Sequence, residues 1–336
     1  MKINYDIILQ QAHKLYGALP IQEIKTGHSG SLVFEMKAGN QPCILRATEA
    51  DETKLAHAAF EIQWTSYLSD RMAGIVKSLP SVDGKLFQVI EADGKKVLLT
   101  LQEKAVGRHV NPEDPGEFNE ALFSRLGLIM GQMHRLTIDY PKNTYNPQFR
   151  WNGPHFWRKN IPIDDAEVRQ GEQRFLEELE SLPTGRDNFG IVHFDIHTDN
   201  FLVDGSSLTI IDFETCQFNW YAADIASALF FLVQRGAGPL SLSEKERTQF
   251  AENCLLSYLK AYRETNAISP WWIGKIDLFM RYQMVDEYMA AQLSKPQSDR
   301  SEDIHLWQQY RDWHRDRIVQ NKPYVAIDYE RVLKSV

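Results

Sequence analysis

The stretch IVHFDIHTDNFLV, residues 191–203, constrains this chain more than any other part of its sequence. It places two histidines, two aspartates and an asparagine between two apolar runs. Burying polar groups costs free energy unless the groups are paired or take part in chemistry. The apolar flanks indicate that the stretch is anchored in a core. Its polar side chains are therefore expected to form a fixed chemical site.

Composition narrows the class of protein. The 336 residues are 43% hydrophobic and 11% aromatic, which is enough to bury a large core. The net charge of -8 argues against a general nucleic-acid binder, since such proteins need a basic surface. A local anion site remains compatible with this charge, because a few donors are enough to bind a phosphate.

Three further features bear on the compartment. The cysteines Cys43, Cys216 and Cys254 are odd in number, widely spaced and not part of a C-x-x-C pair, so neither a disulfide framework nor a structural zinc site is expected. The amino terminus, MKINYDIILQQAHKLYG, has no signal-peptide pattern. The longest apolar run, ASALFFLV, is too short to span a bilayer. We expect a cytoplasmic protein with neither nucleic acid nor membrane as a partner.

The first hundred residues predict a small antiparallel sheet that carries one helix. SLVFEMKA and QPCILRAT flank the dipeptide Gly39-Asn40, and KLFQVIEA and KKVLLTLQEK flank Asp93-Gly94. Two apolar runs around such a dipeptide are typical of a β-hairpin. The segment between the hairpins, ETKLAHAAFEIQWTSYLSDRM, lacks glycine and proline and predicts a helix.

After Gly107 the pattern becomes helical. Asp114-Pro115 predicts a helix start, because proline is favoured at the first helical position. DAEVRQGEQRFLEELESL predicts another helix, the runs FLV and LTIID predict two short strands, and aromatic-rich helices follow. We therefore predict an α+β fold of two lobes, with a β-rich lobe at residues 1–103 and a mostly helical lobe at residues 104–336.

The polar stretch contains the pattern H-x-D-x-x-x-x-N, formed by His193, Asp195 and Asn200, and Asp212 follows in IIDFE after a turn and a strand. This order resembles the catalytic core of kinases. Phosphoryl transfer requires Mg²⁺ to be held against the phosphates and a hydroxyl to be aimed at them. Asn200 and Asp212 supply the oxygen ligands that Mg²⁺ prefers. Asp195 is left to orient the acceptor hydroxyl and take its proton.

The wording HFDIHTDNFLV…IIDFE resembles the aminoglycoside phosphotransferase and choline kinase-like family, whose fold is protein-kinase-like. Members of the family typically read H-G-D-x-H-x-x-N followed by I-D-F/W-E/D. His197 and Glu214 favour this family over ordinary protein kinases, and LGLIMGQMHRL is similar to its helix ahead of the catalytic loop. The resemblance implies that Asp224, in DIASAL, braces that loop. Phe194 departs from the pattern, because glycine is common at its position.

The resemblance also implies that the first lobe binds ATP. TGHSGSLVFEM lies where a phosphate-covering loop belongs, so the backbone of Gly27 and Gly30 is expected to approach the phosphates, helped by Ser29 or Ser31. The strand CILRAT carries Arg46 where the phosphate-binding cation belongs. The other residues expected at the nucleotide are Glu61, as the partner of Arg46, and the backbone from Glu103 to Ala105, as the hinge that contacts adenine.

Several assignments stay open at this point. His193 is expected to be structural, whereas His197 either braces the loop or contacts phosphate or metal-bound water. A zinc site built from His193, Asp195 and His197 is disfavoured because no further ligand set has suitable spacing. The aromatic clusters at 149–157 and 270–289, with Asp286 and Glu287, fit either a core or a site for a cationic amine.

The predicted function is transfer of the γ-phosphate of ATP, with Mg²⁺, to a hydroxyl of a small molecule. Amino alcohols, homoserine-like compounds, sugars and aminoglycosides are the acceptors that the family implies. A bacterial stress-type serine/threonine protein kinase is an alternative, although ETCQFNWYAAD leaves little room for an activation segment after Asp212. A nucleotide-binding regulator without catalysis is the third hypothesis, for which the arginine at position 46 is the only support.

Overall fold

The structure is a computed structural model that describes residues 4–24, 31–153, 161–296 and 300–336. The chain divides into two units, which are described separately. The first unit comprises Met1–Arg108 and Leu202–Glu214, and the second comprises His109–Phe201 and Thr215–Val336.

Most strands precede residue 104 and most helices follow it. The helices are α1 (Tyr5–Tyr16), α2 (Glu52–Ser69), α3 (Glu120–Asp139), α4 (Ala166–Glu180), α5 (Tyr221–Gly236), α6 (Glu244–Tyr262), α7 (Pro270–Ile273), α8 (Ile276–Leu293), α9 (Ser301–Val319) and α10 (Tyr329–Ser335). The strands are β1 (Ala18–Ile24), β2 (Leu32–Ala38), β3 (Gln41–Glu49), β4 (Ser78–Leu79), β5 (Phe87–Ala92), β6 (Lys95–Glu103), β7 (Phe189–Val192), β8 (Phe201–Asp204), β9 (Ser207–Ile210) and β10 (Gln217–Trp220).

The first unit is built on an antiparallel sheet in the order β1-β2-β3-β6-β4, with β5 also paired to β6. Both predicted hairpins are confirmed, because β2 pairs with β3 and β5 pairs with β6. The β5–β6 turn needs two residues in the left-handed region, and Asp93 and Gly94 have φ of 51° and 75°. Aspartate and glycine tolerate that conformation best, which explains the turn.

Strand alternation separates the two faces of this sheet. Leu45 and Ala47 of β3 point into a core that includes Ile8 and Ala12 of α1, and all four are fully buried. Successive side chains in a strand point to opposite faces. Arg46 therefore lies on the other face of the sheet, where Leu98 of β6 packs with residues of α2.

The β8–β9 hairpin belongs to the first unit through backbone contacts. The Arg108 and Val203 backbones exchange two hydrogen bonds of 3.0 and 2.9 Å, and the Ile210 amide donates to the Gly74 carbonyl. Gly107 has φ of +119°, and a Cβ there would lie 2.6 Å from the Val203 carbonyl oxygen. Only glycine fits this close approach between two backbones.

In the second unit α3 packs closely on α6 because it presents glycines to it. A Cβ on Gly127 would lie 2.0 Å from the carbonyl oxygen of Tyr258. The predicted start of this helix at Asp114-Pro115 is wrong. Helix α3 begins at Glu120, and the Asn119 side chain accepts from the Ala121 and Leu122 amides. Asp114 instead accepts from the Gly116 amide and stabilises a turn, as short polar side chains do.

The polar stretch begins where β7 ends. Strand β7 pairs antiparallel with β10, and α5 follows β10 directly, so the first turn of α5 lies close to residues 193–200. Helix α5 is buried along most of its length, from Tyr221 to Val233. Among the described residues, none of the helices combines the length and apolar character needed to cross a bilayer.

Candidate active site

Arg46 of the first unit is held by two carboxylates. Its Nη1 donates to Asp212 Oδ1 at 3.0 Å and its Nη2 to Glu214 Oε2 at 2.7 Å. Phe213, between these acids, is buried, and its ring lies 5.6 Å from that of Trp64 on α2. Because the Phe213 ring is buried, the backbone on either side of it is anchored, and Asp212 and Glu214 are both held near Arg46 of β3. The guanidinium fork suits such two-point contact.

Glu61 completes this charged cluster. Burial and the neighbouring Asp212 and Glu214 charges, opposed by Arg46, raise the pKa of the Glu61 carboxyl to about 7. Burial lowers the pKa of Arg46, but the Asp212, Glu214 and Glu61 carboxylates outweigh that effect and the pKa lies above its ordinary value. Arg46 is therefore charged at any working pH, whereas Glu61 is only partly ionised near neutrality.

The catalytic loop after β7 and the segment around Asp212 each contain a strained backbone position. Asp212 has φ of 62° and Phe194 has φ of 67°, in the left-handed region that non-glycine residues rarely adopt. Such positions cost about 1–3 kcal/mol each and persist only where surrounding contacts hold them. Phe194 therefore occupies a glycine-type conformation with a bulky side chain, which packs against the cluster of Ile138, Val192 and Tyr221.

Of the remaining residues predicted to contact the nucleotide, only some belong to the part of the chain that the structure describes. Gly27, Ser29 and Gly30 lie outside the described residues. The Ser31 hydroxyl is buried and lies 2.8 Å from the Thr48 hydroxyl.

The predicted hinge follows the end of β6. The Glu103 amide donates to the Lys77 carbonyl at 2.9 Å, and Ala105 comes two residues after the strand ends. The Glu103 carboxylate accepts from the Gln41 side chain at 3.0 Å. Their predicted role at adenine stays a prediction.

In the second unit Asp195 and Asn200 form one hydrogen-bonded group. The Asn200 Nδ2 donates to the Asp195 carbonyl at 2.8 Å and to its Oδ2 at 3.0 Å. Both amide hydrogens of Asn200 are thus used inside the loop, which leaves its side-chain oxygen as the atom able to coordinate a cation. The Asp195 side chain is 30% exposed, so a substrate can reach it.

Asp224 holds the start of this loop from α5. It is fully buried and accepts from the amides of His193 at 3.1 Å and Phe194 at 2.7 Å. It also contacts His134 Nε2 at 2.9 Å, and His134 Nδ1 lies 2.9 Å from the Tyr262 hydroxyl. When the Tyr262 hydroxyl donates to His134 Nδ1, His134 Nε2 carries a proton and donates it to Asp224. Both oxygens of the buried Asp224 carboxylate then accept hydrogen bonds.

The two histidines of the loop have different surroundings. His193 is fully buried, its Nδ1 accepts from the Asp195 amide at 3.2 Å, and its carbonyl accepts from the Thr215 hydroxyl at 2.8 Å. His197 lies 3.5 Å from both Asp195 and Asp199. Burial lowers the pKa of His197, but the contact with Asp195 and the two carboxylate charges outweigh it, so the net pKa is raised.

A further acid shares the electrostatic environment of Asp195. Glu287 of α8 accepts from the Tyr310 hydroxyl at 2.5 Å and from Gln234 at 2.9 Å. Burial raises the pKa of Glu287, these hydrogen bonds lower it, and the Asp195 charge raises it again, so the net pKa lies above its ordinary value. Of the predicted aromatic clusters, Phe149, Trp151 and Tyr282 are each less than 7% exposed and belong to the core, whereas Trp271 is 50% exposed. Residues 154–157 of the first cluster lie outside the described residues.

Sequence reasoning missed several of these residues. Glu214, which contacts Arg46 directly, was recognised only as part of a motif. His134 and Ser227 lie within the quoted segments LGLIMGQMHRL and DIASAL but were not singled out, although His134 contacts Asp224 and the Ser227 hydroxyl donates to the Phe194 carbonyl. Within residues 4–24, 31–153, 161–296 and 300–336 no three His, Cys, Asp or Glu side chains cluster as a metal site.

Solved structures with the same fold are kinases of small molecules. An amicoumacin kinase in complex with AMP-PNP, Ca²⁺ and Ami superposes with a TM-score of 0.83 at 24% identity, covering 98% of this chain and 97% of that chain. A microcompartment-associated aminopropanol kinase superposes with a TM-score of 0.65 at 18% identity, covering 94% of this chain and 98% of that chain. These likenesses confirm the predicted protein-kinase-like fold, with a small antiparallel sheet and a mostly helical remainder.

Sequence comparison shows the family. Residues 20–271 match the phosphotransferase enzyme family. Amicoumacin kinase of Bacillus subtilis (strain 168) is 31% identical over 280 residues, which are 82% of this chain and 81% of that protein. The chain belongs to the phosphotransferase enzyme family. It is a kinase that transfers phosphate from ATP to a hydroxyl of a small molecule, as predicted.

Proposed function

We propose that the acceptor is amicoumacin or an amine-bearing alcohol such as aminopropanol. The observation that carries this proposal is the 31% identity to a protein named amicoumacin kinase. The fold relative named aminopropanol kinase also acts, by its name, on an amino alcohol. The acidic environment of Asp195, to which Glu287 contributes, supports a cationic acceptor because opposite charges attract most strongly in partly buried sites.

Asp195 is the group that orients the acceptor hydroxyl and takes its proton. Two contacts support this role: Asn200 fixes its carboxylate and the His193 ring fixes its backbone amide. A group held by its neighbours keeps the geometry that general-base catalysis needs. His197 Nε2 lies 3.5 Å from the same Asp195 Oδ2 that Asn200 contacts.

Asn200 and Asp212 are the proposed ligands of the magnesium ion, which supplies charge neutralisation at the phosphates when bound. The free side-chain oxygen of Asn200 and the Asp212 carboxylate are oxygen donors, the type that Mg²⁺ prefers. Asp212 is 35% exposed and so accessible to the ion. Arg46 is the proposed phosphate-binding cation, and Glu214 and Glu61 supply its counter-charges.

Residues 1–103 are the proposed nucleotide-binding lobe and residues 104–336 the catalytic and acceptor-binding lobe. The first unit contains Arg46, Ser31 and the Glu103–Ala105 segment, which supports the first assignment. Residues 202–214 also group with the first unit, so Asp212 lies in the same compact unit as Arg46 although its number falls within the proposed catalytic lobe. The predicted glycine loop at Gly27 to Gly30 completes the proposal.

A small acceptor is favoured over a protein by the chain that follows Asp212. Thr215 bonds the His193 carbonyl, and residues 217–220 form β10, paired with β7. This segment therefore has a fixed structure where a protein kinase would carry a movable activation loop. The proposed compartment is the cytoplasm, which is consistent with the buried free thiols of Cys43, Cys216 and Cys254.

The deciding experiment is an ADP-release assay with Mg-ATP across a panel of acceptors. The panel holds amicoumacin, 1-amino-2-propanol, homoserine, a sugar, an aminoglycoside and a generic protein. We expect release with an amine-bearing alcohol and none in the Asp195→Asn variant. Release driven by the neutral sugar or the protein alone would refute the amine proposal while leaving the family assignment intact.

A matched variant tests the contribution of Glu287. Glu287→Gln keeps the shape and the hydrogen-bond acceptor toward Tyr310 and Gln234 but removes the charge. We expect KM for a cationic acceptor to rise several-fold while KM for ATP is unchanged. Equal changes in both constants would show that Glu287 acts on the loop structure and not on the acceptor.

A further inference from the structure

A cavity lies in the second unit, apart from the catalytic loop. Its volume is about 600 Å³, within the range of small-molecule sites. The residues that line it include Tyr140, Asn143, Tyr145, Arg150, Arg186 and Phe189. Its described lining contains two arginines and no aspartate or glutamate, in a chain whose net charge is -8.

Three aromatic residues line part of this cavity. Tyr140 and Phe189, with exposures of 6% and 8%, form its buried floor, whereas Tyr145 is 48% exposed and stands at its rim. The Tyr145 ring lies 6.1 Å from the ring of Phe189 and 5.8 Å from that of Phe218. Rings at these separations pack in tilted or edge-on arrangements, and a flat apolar group can join them.

The two arginines give the lining of this cavity its positive charge. Arg186 donates from Nε to the Ile138 carbonyl at 2.6 Å, which fixes the side chain and leaves its terminal nitrogens for another acceptor. The Arg150 guanidinium carbon lies 5.6 Å from the Trp151 ring centre. Planar guanidinium groups bind carboxylate and phosphate oxygens in a bidentate manner. A cavity with such groups and no acid favours an anion.

The cavity and the catalytic loop lie at opposite ends of β7. Phe189, which lines the cavity, begins the strand, and His193 follows its last residue. A strand rises about 3.3 Å per residue, so the two ends are roughly 13 Å apart. The cavity is therefore separate from the site at which Asp195 meets the acceptor.

We propose that this cavity binds a small organic oxyanion, a phosphate or carboxylate carried on a flat apolar group. Arg150 and Arg186 bind the anion, and Tyr145 and Phe189 contact the apolar group. The site is distinct from the acceptor site, whose proposed ligand is cationic. Its ligand is thus neither the nucleotide nor the phosphate acceptor.

Calorimetric titration of the full chain tests this proposal, with the nucleotide site first saturated by Mg-AMP-PNP. Phenyl phosphate, benzoate and inorganic phosphate are the probes. We expect one aromatic anion per chain to bind, with inorganic phosphate at least tenfold weaker because it lacks the ring. Preference between phenyl phosphate and benzoate then decides whether the natural ligand is a phosphate or a carboxylate.

Matched variants separate this site from others. Arg150→Gln with Arg186→Gln is expected to weaken the aromatic anion at least tenfold, and Tyr145→Ala to weaken it without changing inorganic phosphate. Arg71→Gln, an exposed arginine of the first unit, serves as the control and leaves binding unchanged. Because Arg186 also bonds the Ile138 carbonyl, Arg150→Gln alone provides the test if the double variant unfolds.

Two results would overturn the proposal. One is the absence of saturable binding of both aromatic anions to the wild-type chain. The other is unchanged affinity in a folded variant that lacks Arg150. Neither result would affect the assignment of phosphotransfer, since no residue of this cavity takes part in that proposal.

Discussion

The charged cluster of the first unit and the catalytic loop of the second are built in different ways. Arg46, Asp212 and Glu214 hold one another through side-chain contacts, and all three are between 18% and 39% exposed. The loop at Asp195 is instead held through its backbone by Asp224, which is fully buried. The first arrangement stabilises charges by pairing, and the second stabilises a conformation.

We infer from this difference that the Arg46 cluster responds to substrate, whereas the Asp195 loop is preformed. Partly exposed ion pairs contribute little to stability, so Arg46 and Asp212 can exchange partners when phosphate and metal bind. A buried carboxylate with every oxygen satisfied is costly to disturb, so the position of Asp195 is set before any substrate arrives. Four predictions test this contrast, in order of expected effect.

The largest effect is expected from Asp195→Asn. The variant keeps the size and the contact with Asn200 but removes the base, so turnover should fall by about 10²–10⁴-fold. Nucleotide affinity, measured by calorimetry, should stay within about twofold. Asp199→Asn, in the same loop and 61% exposed, is the control and should retain most activity. Turnover above a tenth of wild type in Asp195→Asn would contradict the assigned role.

Asp224→Ala should damage stability as well as activity. It leaves the His193 and Phe194 amides and the His134 ring without their acceptor, at a cost of about 3–5 kcal/mol. Denaturant unfolding measures this loss. Asp139→Asn breaks an exposed pair with Arg135 and should change stability by less than about 1 kcal/mol. Equal stability of the two variants would show that burial of Asp224 does not anchor the loop.

His314 gives the second unit a distinct pH dependence. Burial, aided by the Arg247 and Arg317 charges and opposed by the hydrogen bond to the Tyr310 carbonyl, lowers the pKa of His314 to about 4. Between pH 6.5 and 4 the unfolded chain binds a proton that the folded chain does not. The free energy of unfolding should therefore fall by about 3 kcal/mol as pH falls through this range.

The variant His314→Gln should flatten that part of the stability curve, as measured by denaturant unfolding at a series of pH values. His305→Gln, exposed on the same helix α9, should leave the slope unchanged. A slope that persists in His314→Gln would assign the pH dependence to another group.

The smallest effect is expected in the first unit. Arg46→Gln removes a charge-assisted contact to phosphate, so KM for ATP should rise about 10–100-fold. Stability should change by less than about 1 kcal/mol, because the contacts that it loses are partly exposed. Arg46→Lys should show a smaller rise in KM, since a point charge replaces the fork. A large loss of stability in Arg46→Gln would contradict the conclusion that the Arg46 cluster contributes less to stability than Asp224 does.

Much of the fold was predictable where local chemistry decides the structure. The apolar runs around Gly39-Asn40 and Asp93-Gly94 predicted both hairpins, which the pairing of β2 with β3 and of β5 with β6 confirms. Helix α1 is bounded by local chemistry too: the Asn4 side chain caps its first turn by accepting from the Asp6 amide, and Gly17 ends it at φ of 63°. The start of α3 was missed because Asp114 and Asn119 both satisfy capping patterns, and in the structure Asp114 stabilises a turn whereas Asn119 caps the helix.

The sequence by itself determined the family, the reaction and the set of polar residues in the motif, because phosphotransfer requires those residue types in that order. Only the tertiary structure decided that Arg46 contacts Glu214, 168 residues away, and that His134 contacts Asp224, 90 residues away. Such partners are set by which faces of strands and helices pack together, and this depends on the burial of the whole chain. Linear spacing carries no record of those contacts.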